Sequence, residues 1–269
     1  MLFNGILGFF GFGNMGQAIA GGLLSSSTLS PRHLLAFDIS EEKRLNADEM
    51  GVPHTSHVAE FAQQCTAIIL AVKPQDMETA LTSLTADAKP DTLYISIAAG
   101  VSIAKIQAIL GEEAQVIRVM PNTPALVGAG AAGYACSATC TETDAAIADL
   151  IFSAVGIAER VDESMIDVVT ALSGSGPAYF FRVVEHLIAA SMAHGLDREQ
   201  ATRLAGQTLL GAGKLLAESG ESAEVLRARV TSKGGTTEAA LKTFDAQNLG
   251  DTIRAGVDAA VRRSKELGQ

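Results

Sequence analysis

Two stretches of this sequence place glycine at the mouth of a helix, and both have the makings of an anion site. The first is Gly11-Phe12-Gly13-Asn14-Met15-Gly16, which follows the apolar run "GILGFF" and opens into "QAIAGGLL". In a strand–turn–helix setting Gly11 permits the tight turn, Gly13 lets the backbone approach a pyrophosphate, and Gly16 allows close helix–strand packing. The helix N-terminus then offers free N–H groups and a partial positive charge to the phosphates. The second is "VTSKGGTTEAALKTF", residues 230–244. Read alone it fits two descriptions equally. One is an anion pocket where two glycines and two threonines, 234–237, open into a helix. The other is an ordinary N-cap, with Thr236 capping a helix that carries Glu238 in its first turn.

Asp38 stands at the end of a second apolar run, 25 residues past Gly13, where a dinucleotide-binding fold places its ribose-binding acid. An Asp there accepts hydrogen bonds from a 2′-hydroxyl and repels a 2′-phosphate, which leans the cofactor towards NADH. Lys43 and Arg44 follow closely and could meet a phosphate, and Asp38 could equally cap a helix beginning near Ser40. Three further runs end in small residues or proline: Ala71-Val72-Lys73-Pro74, the segment 96–100 around Ala98, and "VMPNTP" with Asn122. They make thin walls for a flat ring, and Asn122 is the best-placed polar group for a nicotinamide or substrate. Lys73 reads as well with its side chain in solvent as in a catalytic role.

No Ser-His-Asp, Cys-His or metal-ligand spacing occurs near these motifs. His54 and His57 are the one close histidine pair and read as surface residues ahead of a helix. Cys136 and Cys140, four apart with no second ligand pair nearby, read as buried or partly buried thiols. Ser175 lacks the glycine and preceding strand of a nucleophile elbow.

The elements that must position these residues fall into two textures. Up to about residue 162, apolar runs without polar alternation ("HLLAFD", "TAIILAV", "TLYISIA", "QVIRVM") alternate with helical stretches. That order implies crossovers and a mostly parallel, doubly wound sheet of Rossmann type. "AAGYAC" and "GIAERV" are candidates to extend it. From 163 to 269 the periodicity is helical throughout, with Gly195 before Asp197 and Gly220 before Ser222 marking a stop and a start. The expected fold is therefore α/β, a dinucleotide-binding domain at 1–162 followed by an all-helical domain at 163–269. The helices of the second domain are rich in Ala, Leu and Gly along much of their length, which predicts a homodimer through this half.

The 269 residues are 48% hydrophobic and 19% charged, enough for a packed core. A net charge of −10 without a basic block argues against nucleic acid or an anionic membrane as the main partner. No run approaches the ~20 apolar residues of a membrane span. Three cysteines and no positively charged leader favour a reducing, cytoplasmic setting.

Taken in order, "GFGNMG", "AVKPQ", "SIAAG", "VMPNTP", "SGSGPAYFF" and "VTSKGGTTEAAL" resemble pyrroline-5-carboxylate reductase over nearly the whole chain. The last two strings are the specific ones. The resemblance implies hydride transfer from NADPH or NADH to a cyclic imine bearing a carboxylate, giving L-proline. It implies intertwined helical domains in a dimer, often assembled further into a decamer. It also assigns Ser232, Gly234, Gly235, Thr236 and Thr237 to the substrate, with Thr237 bonding the ring nitrogen. Many members carry an Asn-Arg or similar polar pair where this chain has Asp38-Ile39. The competing readings are a β-hydroxyacid dehydrogenase or another imine reductase, and a non-catalytic dinucleotide sensor. The first would use Lys214, but the Asn that family pairs with it is Glu218 here.

Overall fold

A computed structural model of the chain describes residues 3–268. Its sheet has eight strands in the order β3-β2-β1-β4-β5-β6-β7-β8. The strands are β1 (Leu7–Phe10), β2 (Leu34–Phe37), β3 (His54–Thr55), β4 (Ala67–Leu70), β5 (Leu93–Ser96), β6 (Val116–Met120), β7 (Gly130–Cys136) and β8 (Gly156–Arg160). Between them lie α1 (Asn14–Ser25), α2 (Glu41–Glu49), α3 (Val58–Gln64), α4 (Met77–Thr85), α5 (Ile103–Leu110) and α6 (Glu142–Ser153). The remaining helices are α7 (Ile166–Val169), α8 (Gly176–Ala193), α9 (Arg198–Glu218), α10 (Ala223–Arg229), α11 (Thr236–Ala246) and α12 (Leu249–Leu267).

The strands β1, β2, β4 and β5 are buried at every position, which is why they read as continuous apolar runs. Alternate residues feed two cores. Phe9, Ala36, Ile69 and Ile95 face one side, and Phe10, Phe37, Leu70 and Tyr94 face the other. β1 to β6 are parallel, as expected. β7 runs antiparallel to β6, and β8 parallel to β7. The chain between Met120 and Gly130 holds only the short turn Thr123–Val127, too little for a parallel crossover, whereas α6 supplies one for β8. β3 adds two residues at the far edge, where the sequence shows only a loop ahead of α3.

Packing divides the chain into two compact units, Met1–Ser175 with Ala260–Gln269, and Gly176–Ala259. The first unit thus runs past the texture change at 162/163. The reason is local: Ile166 and Ala171 are buried, and Val169 packs so closely on Gly133 of β7 that a Cβ there would stand 2.7 Å from its methyl carbon. Within this unit Arg118, only 8% exposed, pairs with Glu163 at 3.3 Å and approaches Asp167 at 3.9 Å. Asp167 also accepts the Ser264 hydroxyl at 2.7 Å, and Glu163 the Ile103 N–H at 2.8 Å. A buried guanidinium is tolerable because its carboxylates are themselves held in place. In the second unit, Asp197 and Ser222 cap α9 and α10 by accepting the N–H of Gln200 and Val225. Gly195 and Gly220 take the left-handed backbone ahead of them (φ +99° and +68°). Among the described residues no helix is long and apolar enough to cross a membrane.

Candidate functional site

The order of the sheet reverses between β1 and β4, and a ligand crevice is expected beyond the strand ends there. β1 delivers the chain to Gly11, whose φ is +98°. A Cβ on Gly11 would stand 2.8 Å from the Ala71 carbonyl oxygen, so the fold itself demands glycine. Gly16 is constrained in the same way, with the Gly11 carbonyl 3.0 Å from where its Cβ would be. Gly13 is different. Its backbone is ordinary and extended, and a Cβ there would meet no protein atom within 4 Å. Nothing in the polypeptide requires glycine at 13, so the backbone there is open to approach from outside. Packing accounts for Gly11 and Gly16 but not for Gly13, whose open backbone leaves room for a group such as a pyrophosphate.

Asp38 joins this loop directly. Its carboxylate accepts the Phe12 N–H at 2.7 Å and the Ser40 N–H at 2.9 Å, tying the end of β2 to the glycine turn. The two cations nearby are engaged elsewhere: the Arg44 guanidinium donates to the Asp38 carbonyl at 2.7 Å, and Lys43 to Glu42 at 2.8 Å. Ile39 is 91% exposed. Ala71 and Val72 are half-buried after β4, while Lys73 and Pro74 are exposed. Ala98 is buried after β5. Asn122 follows β6 and is 8% exposed; its amide donates to the Ser173 carbonyl at 3.0 Å and its oxygen accepts the Ala131 N–H at 2.9 Å. Gly11, Gly13, Asn14, Met15, Gly16, Asp38, Ala71–Pro74, Ala98 and Asn122 all follow the carboxyl ends of parallel strands on one edge.

The second glycine loop lies in the other unit. Arg229 closes α10 with a bidentate pair to Glu221, and the chain then turns through Thr231–Gly235. Gly234 takes φ +73°, and the Gly235 N–H donates to the Ser232 carbonyl at 3.0 Å. A Cβ on Gly235 would collide with the Ser232 side chain, which places that hydroxyl against the turn. The helix cap is Gly235, so Thr236 is the first helical residue and not the N-cap. Thr237 is half-buried and Thr236 exposed. The Glu238 carboxylate reaches back to accept the Gly234 N–H at 2.7 Å and pairs with Lys242 at 3.1 Å. Those two contacts, the Gly234 N–H first, hold the Glu238 carboxyl below its usual range.

Some helix starts are covered by a capping side chain and others, α2, α3 and α4 among them, are not. α5, α6, α9 and α10 begin at Ser102, Thr141, Asp197 and Ser222, each of which covers a first-turn N–H with its side chain. α1 and α11 begin at Gly13 and Gly235, which have no side chain to do so. Their first-turn N–H groups keep their donor capacity and the positive end of the helix dipole behind it. The reach of Glu238 was readable in advance as an acid at the third helical position. The link from Asp38 to Phe12 has no short-range signal. Lys214 forms an exposed pair with Glu218 on α9, 3.7 Å apart, as a surface helix pair does.

Residues 163–267 match the family model described as pyrroline-5-carboxylate reductase dimerisation, and residues 6–100 match NADP oxidoreductase, coenzyme F420-dependent. The pyrroline-5-carboxylate reductase of Pseudomonas aeruginosa is 39% identical, over 98% of this chain and 97% of that protein. Two solved structures agree in fold over nearly the full length. The Coxiella burnetii pyrroline-5-carboxylate reductase has a TM-score of 0.94 at 36% identity, covering 98% of this chain and 99% of its own. The Plasmodium falciparum pyrroline carboxylate reductase, solved with NADP bound, has a TM-score of 0.87 at 32% identity, covering 99% of each. This chain belongs to the pyrroline-5-carboxylate reductase family.

Proposed function

We propose that the chain reduces 1-pyrroline-5-carboxylate to L-proline with NADH or NADPH. The observation that carries this reading is the pair of glycine-capped helices. Each of the two loops singled out for an anion is the start of a helix whose first turn is left uncovered. A dinucleotide pyrophosphate suits the first, and a compact carboxylate suits the second.

A nicotinamide held in the crevice beyond the strand ends would supply hydride chemistry for an imine. What the chain supplies is binding and orientation. Gly11, Gly13 and Gly16, with Asn14 and Met15 between them, present backbone to the pyrophosphate, and Asp38 takes the ribose hydroxyls. Ala71–Pro74 and Ala98 wall the crevice. Asn122, with its carboxamide committed to Ser173 and Ala131, stiffens that wall. In the second loop, Ser232 and the N–H groups following Gly234 grip the substrate carboxylate. Thr237 accepts a hydrogen bond from the N–H of the protonated ring nitrogen, favouring the form of the imine that accepts hydride more easily.

The helical unit serves as the dimer surface in this reading. α8 and α9 leave Phe180, Phe181, Leu204, Leu210 and Leu215 exposed, which favours cover by a second copy. Assembly of dimers into a decamer and a cytoplasmic setting complete the proposal, and light scattering at working concentration would test the former.

The deciding experiment is initial-rate oxidation of NADH and of NADPH with and without 1-pyrroline-5-carboxylate. Substrate-dependent oxidation with proline as product is expected. Tight dinucleotide binding without turnover would overturn the reading.

A further inference from the structure

The corner where β7 turns towards α6 holds two of the chain's three cysteines, and reduction of an imine uses neither. Cys136 is the last residue of β7, and Cys140 immediately precedes Thr141, the N-cap of α6. A turn joins them, closed by the Cys140 N–H donating to the Ser137 carbonyl at 3.1 Å. Both ends of that turn converge on β6: the Ser137 N–H and the Cys140 thiol reach the Val116 carbonyl at 2.8 and 3.4 Å. Alternation along β7 sends Tyr134 and Cys136 into the core beneath α6, and Ala135 to the opposite side. Cys140 packs against the same core as Cys136. The two sulfurs thus lie on one side of the sheet, across one turn, against one core, with each thiol close enough to perturb the other. Both are partly accessible, whereas Cys65 is buried.

The two thiols are electronically unequal. Cys140 sits next to the positive end of α6, and the contact with Cys136, then the bond from Ser137, pulls it below the usual thiol range against partial burial. The same contact with Cys140, and then burial, pushes Cys136 up. The α6 N-terminus beside Cys140 favours its thiolate as the attacking group, which leaves Cys136, across the turn, to resolve.

We propose that Cys136 and Cys140 form a dithiol that closes to an intramolecular disulfide by exchange with a low-molecular-weight disulfide such as oxidised glutathione. The Cys140 thiolate attacks one glutathione sulfur, the glutathione S–S bond breaks, and one glutathione thiolate leaves. Cys136 then loses its proton to solvent and attacks the Cys140 sulfur, expelling the second glutathione. Two protein thiols are oxidised and one external disulfide is reduced to two thiols.

The chain has no Lys or Arg between Arg118 and Arg160, so trypsin leaves both cysteines on the single peptide 119–160. The full-length protein would be held natively in oxidised glutathione, alkylated, and digested without reductant. The expected peptide is two hydrogens lighter than the dithiol and carries no alkyl group, while Cys65 alkylates only after denaturation. Cys136→Ser is expected to stop at a glutathione adduct on Cys140. Cys140→Ser should acquire its adduct on Cys136 at least about tenfold more slowly. A doubly alkylated wild-type peptide, a glutathione adduct that is never displaced, or equal rates in the two variants would overturn the proposal.

Discussion

The Glu238 carboxylate accepts the Gly234 N–H at 2.7 Å, one residue ahead of the glycine that caps α11. A full capping box would pair this acid with a Ser or Thr at the cap, covering donors on both sides. Here the acidic half is kept and the hydroxyl half is missing, because the cap is Gly235. The loop is held in shape while its outward N–H groups stay available.

Two substitutions separate the roles of Glu238 in shape and in charge. Glu238→Gln keeps an acceptor for Gly234 and removes a negative charge beside the anion pocket, so KM for 1-pyrroline-5-carboxylate should stay level or fall. Glu238→Ala frees the loop, and KM should rise about fivefold with kcat nearly unchanged. Steady-state kinetics at neutral pH read both. The carboxyl is held below its usual range in the folded chain, so its support of the loop is present above the ordinary Glu range and is lost as pH falls through the lowered value. Neutral assays therefore see it in full. Equal KM values for the Gln and Ala variants would remove the hydrogen bond from the account.

Gly11 and Gly13 should respond differently to alanine. Gly11→Ala forces a Cβ against the Ala71 carbonyl at φ +98°, and a loss of roughly 1–3 kcal/mol of stability is expected. Gly13→Ala meets no protein atom, so stability should fall by less than about 1 kcal/mol, the cost of exchanging a glycine cap for alanine. Its dinucleotide affinity should nonetheless drop by about tenfold or more, since the new methyl group stands where the pyrophosphate approaches. Denaturant melts and dinucleotide titration of the two variants test this. Retained cofactor affinity in Gly13→Ala would move the pyrophosphate elsewhere.

Much of this arrangement is legible without coordinates, and the reasons are physical. Strands buried on both faces cannot alternate polar with apolar, so β1, β2, β4 and β5 show as apolar runs. Glycines that must adopt unusual backbone or admit a ligand show as fixed spacings. What stays hidden depends on partners far along the chain. The hydrogen bond from Phe12 to Asp38 spans 26 residues, and that from Ser264 to Asp167 spans 97. β3 has two residues, too few for any period. The unit boundary is hidden for the same reason: 163–175 is helical in pattern but is claimed by the sheet through Val169 and Gly133. Asn122 shows the limit most plainly, because its polarity was readable but not its engagement with Ser173 and Ala131.

Asp38 and Ile39 together should set cofactor choice. With Lys43 and Arg44 engaged by Glu42 and the Asp38 carbonyl, a 2′-phosphate would meet the Asp38 carboxylate and an exposed isoleucine. NADH should therefore give the higher kcat/KM in the native chain. The double change Asp38→Asn with Ile39→Arg removes the charge and adds a bidentate donor, and should raise the NADPH-to-NADH ratio of kcat/KM by about 100-fold. A native chain that prefers NADPH would mean that Arg44 leaves the Asp38 carbonyl to take the phosphate.

Thr237 is the half-buried hydroxyl of the second loop, and its replacement tests whether the ring nitrogen is met there. A threonine hydroxyl is too weak an acid to be the whole proton source, so its part is to hold the nitrogen of an imine protonated from solvent. Thr237→Ala should then lower kcat by about 100-fold. The loss should widen as pH rises, because less of the substrate arrives protonated and the hydrogen bond matters more. Thr237→Ser keeps the hydroxyl and should stay within about threefold of the native rate, which distinguishes a lost hydrogen bond from a disturbed helix start. Full activity of Thr237→Ala across the pH range would reassign the nitrogen contact to another group, with Ser232 the next to be replaced.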